Sequence, residues 1–295
     1  MLPKDLLREV RKIEIRTRGL VDSMYAGGYR SVFKGRGIEF SGIREYSRGD
    51  EYRSIDWKVS ARSGELHVRE HIEERELQVM ICLDLSGSMC FGSGSREKRE
   101  TAVEFGAAMA MAAARNNDRV GICLFTDRVE KKVPPAKGRT HILRLIRDLL
   151  YFVPVEKHTD LRSAIEFVRH TLKQKSVVFL VSDFVEGEIP EKELKTLAAR
   201  HDLIAVLMSD PREEEIPDVG LIELEDPETG CETIFDTGDR ALVARLLNRA
   251  QKRRDHLLAR LRRLGIDTLQ LTAGKPVVPA ICRLFSEREQ RLAHP

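Results

Sequence analysis

The chain has 295 residues and is 42% hydrophobic, enough apolar material for one large domain, or one domain with a smaller lobe. Fifty Lys and Arg against 47 Asp and Glu leave a formal charge of +3, too even a balance to be a nucleic-acid footprint by itself. The longest apolar runs are strand-sized, short of the ~20 residues that span a bilayer. The opening MLPKDLLREVRKIEIR lacks a secretory leader's apolar core, so the expected location is cytoplasmic. Cys82, Cys90, Cys123, Cys231 and Cys282 contain no CxxC pair, which points to reduced thiols rather than a disulfide framework or a zinc site.

Residues 4–18 set Leu6, Leu7, Val10 and Ile13 at helical spacing and predict a short amphipathic helix. Residues 35–71 read as turns and short strands rather than helix. They hold the single tryptophan, Trp57, beside Asp56, with Arg44, Arg48, Arg53, Arg62 and Arg69. The expected arrangement is a small β lobe with Trp57 as its core anchor and the charges on a solvated face. The density of Arg, Asp and Tyr also suits a docking surface. His67 and His71 sit four apart in a strand-like run with nothing nearby to complete a site, and are expected to be structural.

From residue 77 strands and helices alternate. Residues 79–83 are an uncharged apolar run of buried-strand length. A helix with Ala102, Phe105, Met109 and Ala112 on one face leads to a second strand at 120–125. Residues 131–133 read as a short edge strand stopped by Pro134 and Pro135. Thr140 opens a helix striped by Ile142, Ile146, Leu149 and Leu150, and the helix after Asp160 carries Leu161, Ile165, Val168 and Leu172. Strands at 177–181 and 203–208 flank a helix over 191–200, and short strands are expected at 221–224 and 233–235. A long helix over 240–264 turns Val243, Leu246, Leu247, Ala250, Leu257, Leu258 and Leu261 inward. A last strand at 266–271 and a short closing helix at 279–285 complete the chain. Continuous apolar strands separated by long helices mean an α/β fold, a doubly wound and mostly parallel sheet covered on both faces. It is expected to fill residues 77–295, after a helix and β-rich lobe over 1–76.

Polar oxygens collect where the core strands end. Asp84, Ser86 and Ser88 alternate directly after the first strand, Thr159 precedes a helix, and Asp183 follows a later strand. Loops after successive parallel strands emerge on one edge of a doubly wound sheet, so these groups can converge. Two carboxylates and three hydroxyls make a hard, all-oxygen donor set, suited to Mg²⁺ or Mn²⁺ rather than zinc. Taken singly, each could instead cap a helix, the role assigned to Asp160. In order, the set resembles the metal-ion-dependent adhesion site of von Willebrand factor A domains, whose pattern is DxSxS, then Thr, then Asp. The resemblance implies that Ser86, Ser88 and Thr159 donate oxygens, that Asp84 and Asp183 act directly or through water, and that a partner protein's Asp or Glu fills the open position.

The run Arg44, Glu45, Tyr46, Gly49, Asp50, Arg53, Ile55, Asp56, Trp57, Ser60, Ala61 and Arg62 lies ahead of that motif. It resembles the signature of the bacterial domain-of-unknown-function family numbered fifty-eight, whose members join such a segment to a von Willebrand factor A-like domain. Many members carry transmembrane helices ahead of this region; none is read here, so a soluble form is expected. The resemblance implies a non-enzymatic adaptor or co-chaperone of a MoxR-type AAA+ ATPase.

Three other chemistries fare less well. Phosphoryl transfer of the haloacid-dehalogenase kind also begins with an Asp at a core strand end, but needs an acid two residues on, where this chain has Ser86. No GxxxxGK[ST] loop is present for nucleotide hydrolysis. The helix over 240–264 is rich in arginine, yet no aromatic residues interleave to stack on bases, so it reads as a solvated face or a contact for an acidic protein.

Overall fold

The computed structural model describes residues 12, 39–47, 50–72, 77–185 and 189–293. Apart from Lys12, which is helical, the expected helix over 4–18 lies outside the described residues, as does Gly49. The chain divides into two compact units, Lys34–Leu77 and the remainder.

In the smaller unit, β1 (Glu39–Glu45) pairs antiparallel with β2 (His67–Ile72) around an irregularity between Phe40 and Gly42. Between them lies a helix the sequence reading did not expect, α1 (Trp57–Ser63). Its signals are local: Asp56 accepts from the amides of Lys58 and Val59 at the start, and Gly64 ends it at φ +80°. Trp57, the expected core anchor, is 63% exposed. The chain turns inward two positions earlier, where Ile55 is buried and bridges the buried Val68.

The larger unit is a six-stranded sheet in the order β10-β7-β6-β3-β4-β5. β3 (Gln78–Asp84), β4 (Arg119–Phe125), β6 (Val177–Ser182), β7 (Asp202–Ser209) and β10 (Asp267–Thr272) run parallel. β5 (Val129–Ala136) closes one edge antiparallel to β4. It does not stop at Pro134 and Pro135, because an edge strand can leave the missing amides unpaired. Gly121 of β4 makes room for them: a Cβ there would lie 2.7 Å from the Val133 carbonyl and 2.8 Å from the Pro135 nitrogen.

Helices cover both faces because alternate strand side chains point to opposite sides. Met80, Cys82, Val178, Leu180, Leu203 and Ala205 pack on one face against α4 (Leu161–Thr171), α5 (Glu191–Arg200) and the end of α7 (Arg240–Arg263). On the other lies α2 (Lys98–Arg115), whose Phe105 meets Phe179 edge-on at 5.5 Å, with α3 (Arg139–Tyr151) and α8 (Val277–Ala293) beside it. This is the doubly wound, mostly parallel α/β architecture expected from the sequence.

Helix α7 departs from its expected burial. Leu257 and Leu261 enter the core, but Leu246 is exposed and the stretch between Ala244 and Leu258 borders an open cleft. The short α6 (Pro211–Glu214) follows β7, and α8 is longer than the expected closing helix. β8 (Leu221–Glu225) and β9 (Glu232–Asp236) form a separate antiparallel hairpin. No helix among the described residues is long and apolar enough to cross a membrane.

Candidate metal centre

The sheet's strand order reverses at β3, which connects through α2 to β4 on one side and pairs with β6 on the other. A crevice opens beyond the carboxyl ends of the strands at such a switch point. Asp84 ends β3 there, and Ser182 ends β6 beside it, with Asp183 next in the chain.

Asp84 is fully buried. Its Oδ1 accepts the Ser86 amide at 2.9 Å and its Oδ2 accepts the Ser182 hydroxyl at 2.7 Å. Burial outweighs these bonds and, with the nearby charge of Asp183, pushes the Asp84 carboxyl up to about 6. Sequence reasoning missed Ser182, although its position at a strand end was visible. Ser86 is also fully buried, and its Oγ lies 3.2 Å from the Ser88 Oγ.

That spacing fits a small hard cation, because adjacent vertices of an octahedron with ~2.1 Å bonds are ~3.0 Å apart. Asp84 fits too: the partners the structure gives it, a hydroxyl and an amide, are neutral, so a buried negative charge is met by no cation among the described hydrogen bonds. Among the described residues, no three His, Cys, Asp or Glu side chains group as metal ligands.

Thr159 reaches this edge on the loop before α4. The Gly87 amide donates to the Lys157 carbonyl at 2.7 Å, and the Asp160 amide to the Thr126 carbonyl at 3.0 Å. Asp160 also caps α4 through the Arg162 amide, as expected from sequence. The Thr159 hydroxyl donates to Glu228 Oε1 at 3.2 Å. Glu228, from the β8–β9 turn, was not anticipated.

Asp183 keeps different company. Its Oδ2 accepts from Lys98 Nζ at 2.7 Å, with both side chains only 2% exposed. The same ammonium donates to Glu213 Oε1 at 2.8 Å and lies 5.9 Å from the Phe91 ring centroid. Burial works against the charge of Lys98, but Asp183 and Glu213 outweigh it and leave its pKa raised. The structure thus brings Asp84, Ser86 and Ser88 into direct contact, ties the Thr159 loop to Gly87, and pairs Asp183 with a lysine. Nothing in the sequence pattern marked Lys98 as that partner.

Ser88, Lys98, Asp183 and Glu213 open on a cleft of about 1050 Å³ that is also lined by α7 between Ala244 and Leu258. Several α7 arginines are spent on other parts of the fold: Arg254 binds Glu214 and Gln270, and Arg260 binds Glu191. In the smaller unit, Arg44 grips Asp50 with two bonds of 2.8 and 2.7 Å. Those bonds, with the Ser47 amide, lower the Asp50 carboxyl to about 2. The Tyr46 and Tyr52 rings meet at a tilt of 49° with centroids 6.3 Å apart, Asp56 caps α1 as described, Arg62 is exposed, and Arg53 lies in the short helical turn Tyr52–Ser54.

Among solved structures, the chain is similar to BatB from Bacteroides thetaiotaomicron, at 13% identity and a TM-score of 0.46 over 72% of this chain and 99% of that one. It is also similar to proximal thread matrix protein 1 of the mussel byssus, with its zinc-occupied MIDAS motif, at 19% identity and a TM-score of 0.37, over 45% of this chain and 38% of that one. Among sequences, it is 30% identical to the protein Rv1480 of Mycobacterium tuberculosis over 287 residues, 97% of this chain and 90% of that protein. The model of the family described as "Protein of unknown function DUF58" matches residues 42–256. With the match spanning well over half its length, the chain belongs to the DUF58 family.

Proposed function

We propose that this protein is a non-enzymatic interaction module that binds a divalent cation, Mg²⁺ or Mn²⁺, at the carboxyl edge of its sheet and uses it to hold a carboxylate of a partner protein. The observation that carries the reading is Asp84, a fully buried carboxylate with neutral hydrogen-bond partners, beside two serine hydroxyls at the spacing of adjacent octahedral ligands. Ser86, Ser88 and Thr159 would hold the ion by their hydroxyls, with Asp84 and Asp183 balancing its charge. The bound ion would act as a Lewis acid toward a partner's carboxylate.

The residues also fit an interaction role better than hydrolysis. Position 86 carries a serine whose hydroxyl bonds to Ser88, so a leaving group would find no acid there. The resemblance to the family's signature extends the proposal to a MoxR-type AAA+ ATPase as the partner, with this chain as its adaptor. The test is calorimetric titration of Mg²⁺ and Mn²⁺ into wild type and Asp84→Ala, followed by capture of the purified ATPase with and without EDTA. Saturable binding lost in the variant, and capture abolished by EDTA, support the proposal. Capture undiminished in EDTA overturns it.

A further inference from the structure

The β8–β9 hairpin buries Phe235 on one face and a carboxylate at its turn. Leu221 and Ile234, on its two strands, are 72% and 73% exposed, whereas the carboxylate-bearing side chain of Glu228 at its turn is only 1% exposed. Burial of Phe235 accounts for one face of the hairpin, but the hydrophobic effect would leave the glutamate at its turn in water. Something at the turn therefore holds it.

What the turn meets is the loop that carries the serines. A Cβ on Gly87, between Ser86 and Ser88, would lie 2.5 Å from the Pro227 carbonyl oxygen, so the hairpin rests directly on that backbone. Glu228 then takes the Thr159 hydroxyl at 3.2 Å, and its other oxygen lies 3.6 Å from His158 Nδ1. The turn is built in advance: Asp226 Oδ1 accepts the Glu228 amide at 2.9 Å and the Thr229 amide at 3.4 Å, and the Gly230 amide returns to the Asp226 carbonyl at 2.7 Å.

We propose that Glu228 is the molecule's own occupant of the position left for a partner's carboxylate, so that the hairpin closes the metal site from within. This rests on the metal reading above and goes beyond it in naming the competitor. A partner gains the site only by lifting residues 226–229 away. The partner segment best matched to the space is an acidic turn of the same kind, with one carboxylate to make the turn and another to enter the site.

The test uses the full chain with Mn²⁺ alone as the probe. Affinity is read by calorimetry, the water count of bound Mn²⁺ by proton relaxation, and hairpin opening by hydrogen exchange of the amides over 221–236. Glu228→Gln, which keeps the shape and removes the charge, should weaken Mn²⁺ by about 10-fold, add one exchangeable water to the bound ion, and speed hairpin exchange. Gly87→Ala retains Glu228 but wedges the turn away, and should give the same extra water and faster exchange. Ile234→Ala, on an exposed strand position, should leave the bound ion unchanged. Wild type and Glu228→Gln binding Mn²⁺ with equal affinity, equal water count and equal hairpin exchange overturns this inference alone. A wild type that binds no Mn²⁺ overturns the metal reading on which it stands.

Discussion

Replacing Lys98 by methionine removes a buried ammonium while keeping most of its stem, and so isolates the charge. The two arms of its ion-pair network are not equivalent. Glu213 is 35% exposed, so water screens that arm and it contributes little. The Asp183 arm has both side chains at 2% exposure and a 2.7 Å contact, and here the substitution strands a carboxylate in the interior. Breaking one side of such a buried pair costs about 3–5 kcal/mol. At about 2–4 °C per kcal/mol for a unit of this size, the melting temperature should fall by about 6–20 °C. The companion is Lys98→Met with Asp183→Asn, which leaves no bare charge and should recover most of the loss. Mn²⁺ should also raise the melting temperature more in Lys98→Met than in wild type, because the freed Asp183 can then face the ion. The assay is thermal unfolding followed by circular dichroism in metal-free buffer and with Mn²⁺. A single variant that melts within about 2 °C of wild type, less than 1 kcal/mol on that scale, would refute the reasoning.

Three further outcomes are expected. The Asp84 carboxyl sits near 6 instead of 3.8, so without metal its stabilising contribution is complete below 3.8 and lost as pH rises through about 6. A divalent cation competes for the same oxygens, and its stabilisation, measured as the shift in melting temperature on adding Mn²⁺, should therefore grow from pH 5 to pH 7. His201 is buried, neither ring nitrogen has a hydrogen-bond partner among the described residues, and burial with Arg200 nearby lowers its pKa below 6.5. Its neutral form is favoured on folding, so stability should drop as pH falls below 6.5, and His201→Phe should flatten that slope in denaturant titrations. Gly121→Ala drives a Cβ into the backbone of β5 and should cost about 1–3 kcal/mol in urea unfolding.

How much could be read from the chain depends on the range of the interaction. The core strands are continuous apolar runs bounded by helix and turn signals, so β3, β6 and β7 were legible within a residue or so of their ends. The cap on α4 was legible because Asp160 and the amide it accepts are two residues apart. α1 was missed although its signals are equally local, because a lone tryptophan after Asp56 was weighed as a core anchor rather than as the first residue of a capped helix. The first half of α7 was over-buried because an amphipathic stripe says which face is apolar, not what stands opposite it.

The candidate site divides along the same line. Asp84, Ser86 and Ser88 share one loop, so their proximity follows from spacing alone, and the sheet-edge rule for parallel strands brings Asp183 and Thr159 to the same side. Sequence by itself determined the fold class and the edge of the sheet on which these polar side chains collect. Only the tertiary structure decided that Lys98 would hold Asp183 from 85 residues away, and that Glu228 would reach Thr159 across 69. Ion pairs and buried carboxylates carry no periodicity along a chain. They are set by which helix and which hairpin the packed sheet places opposite each other.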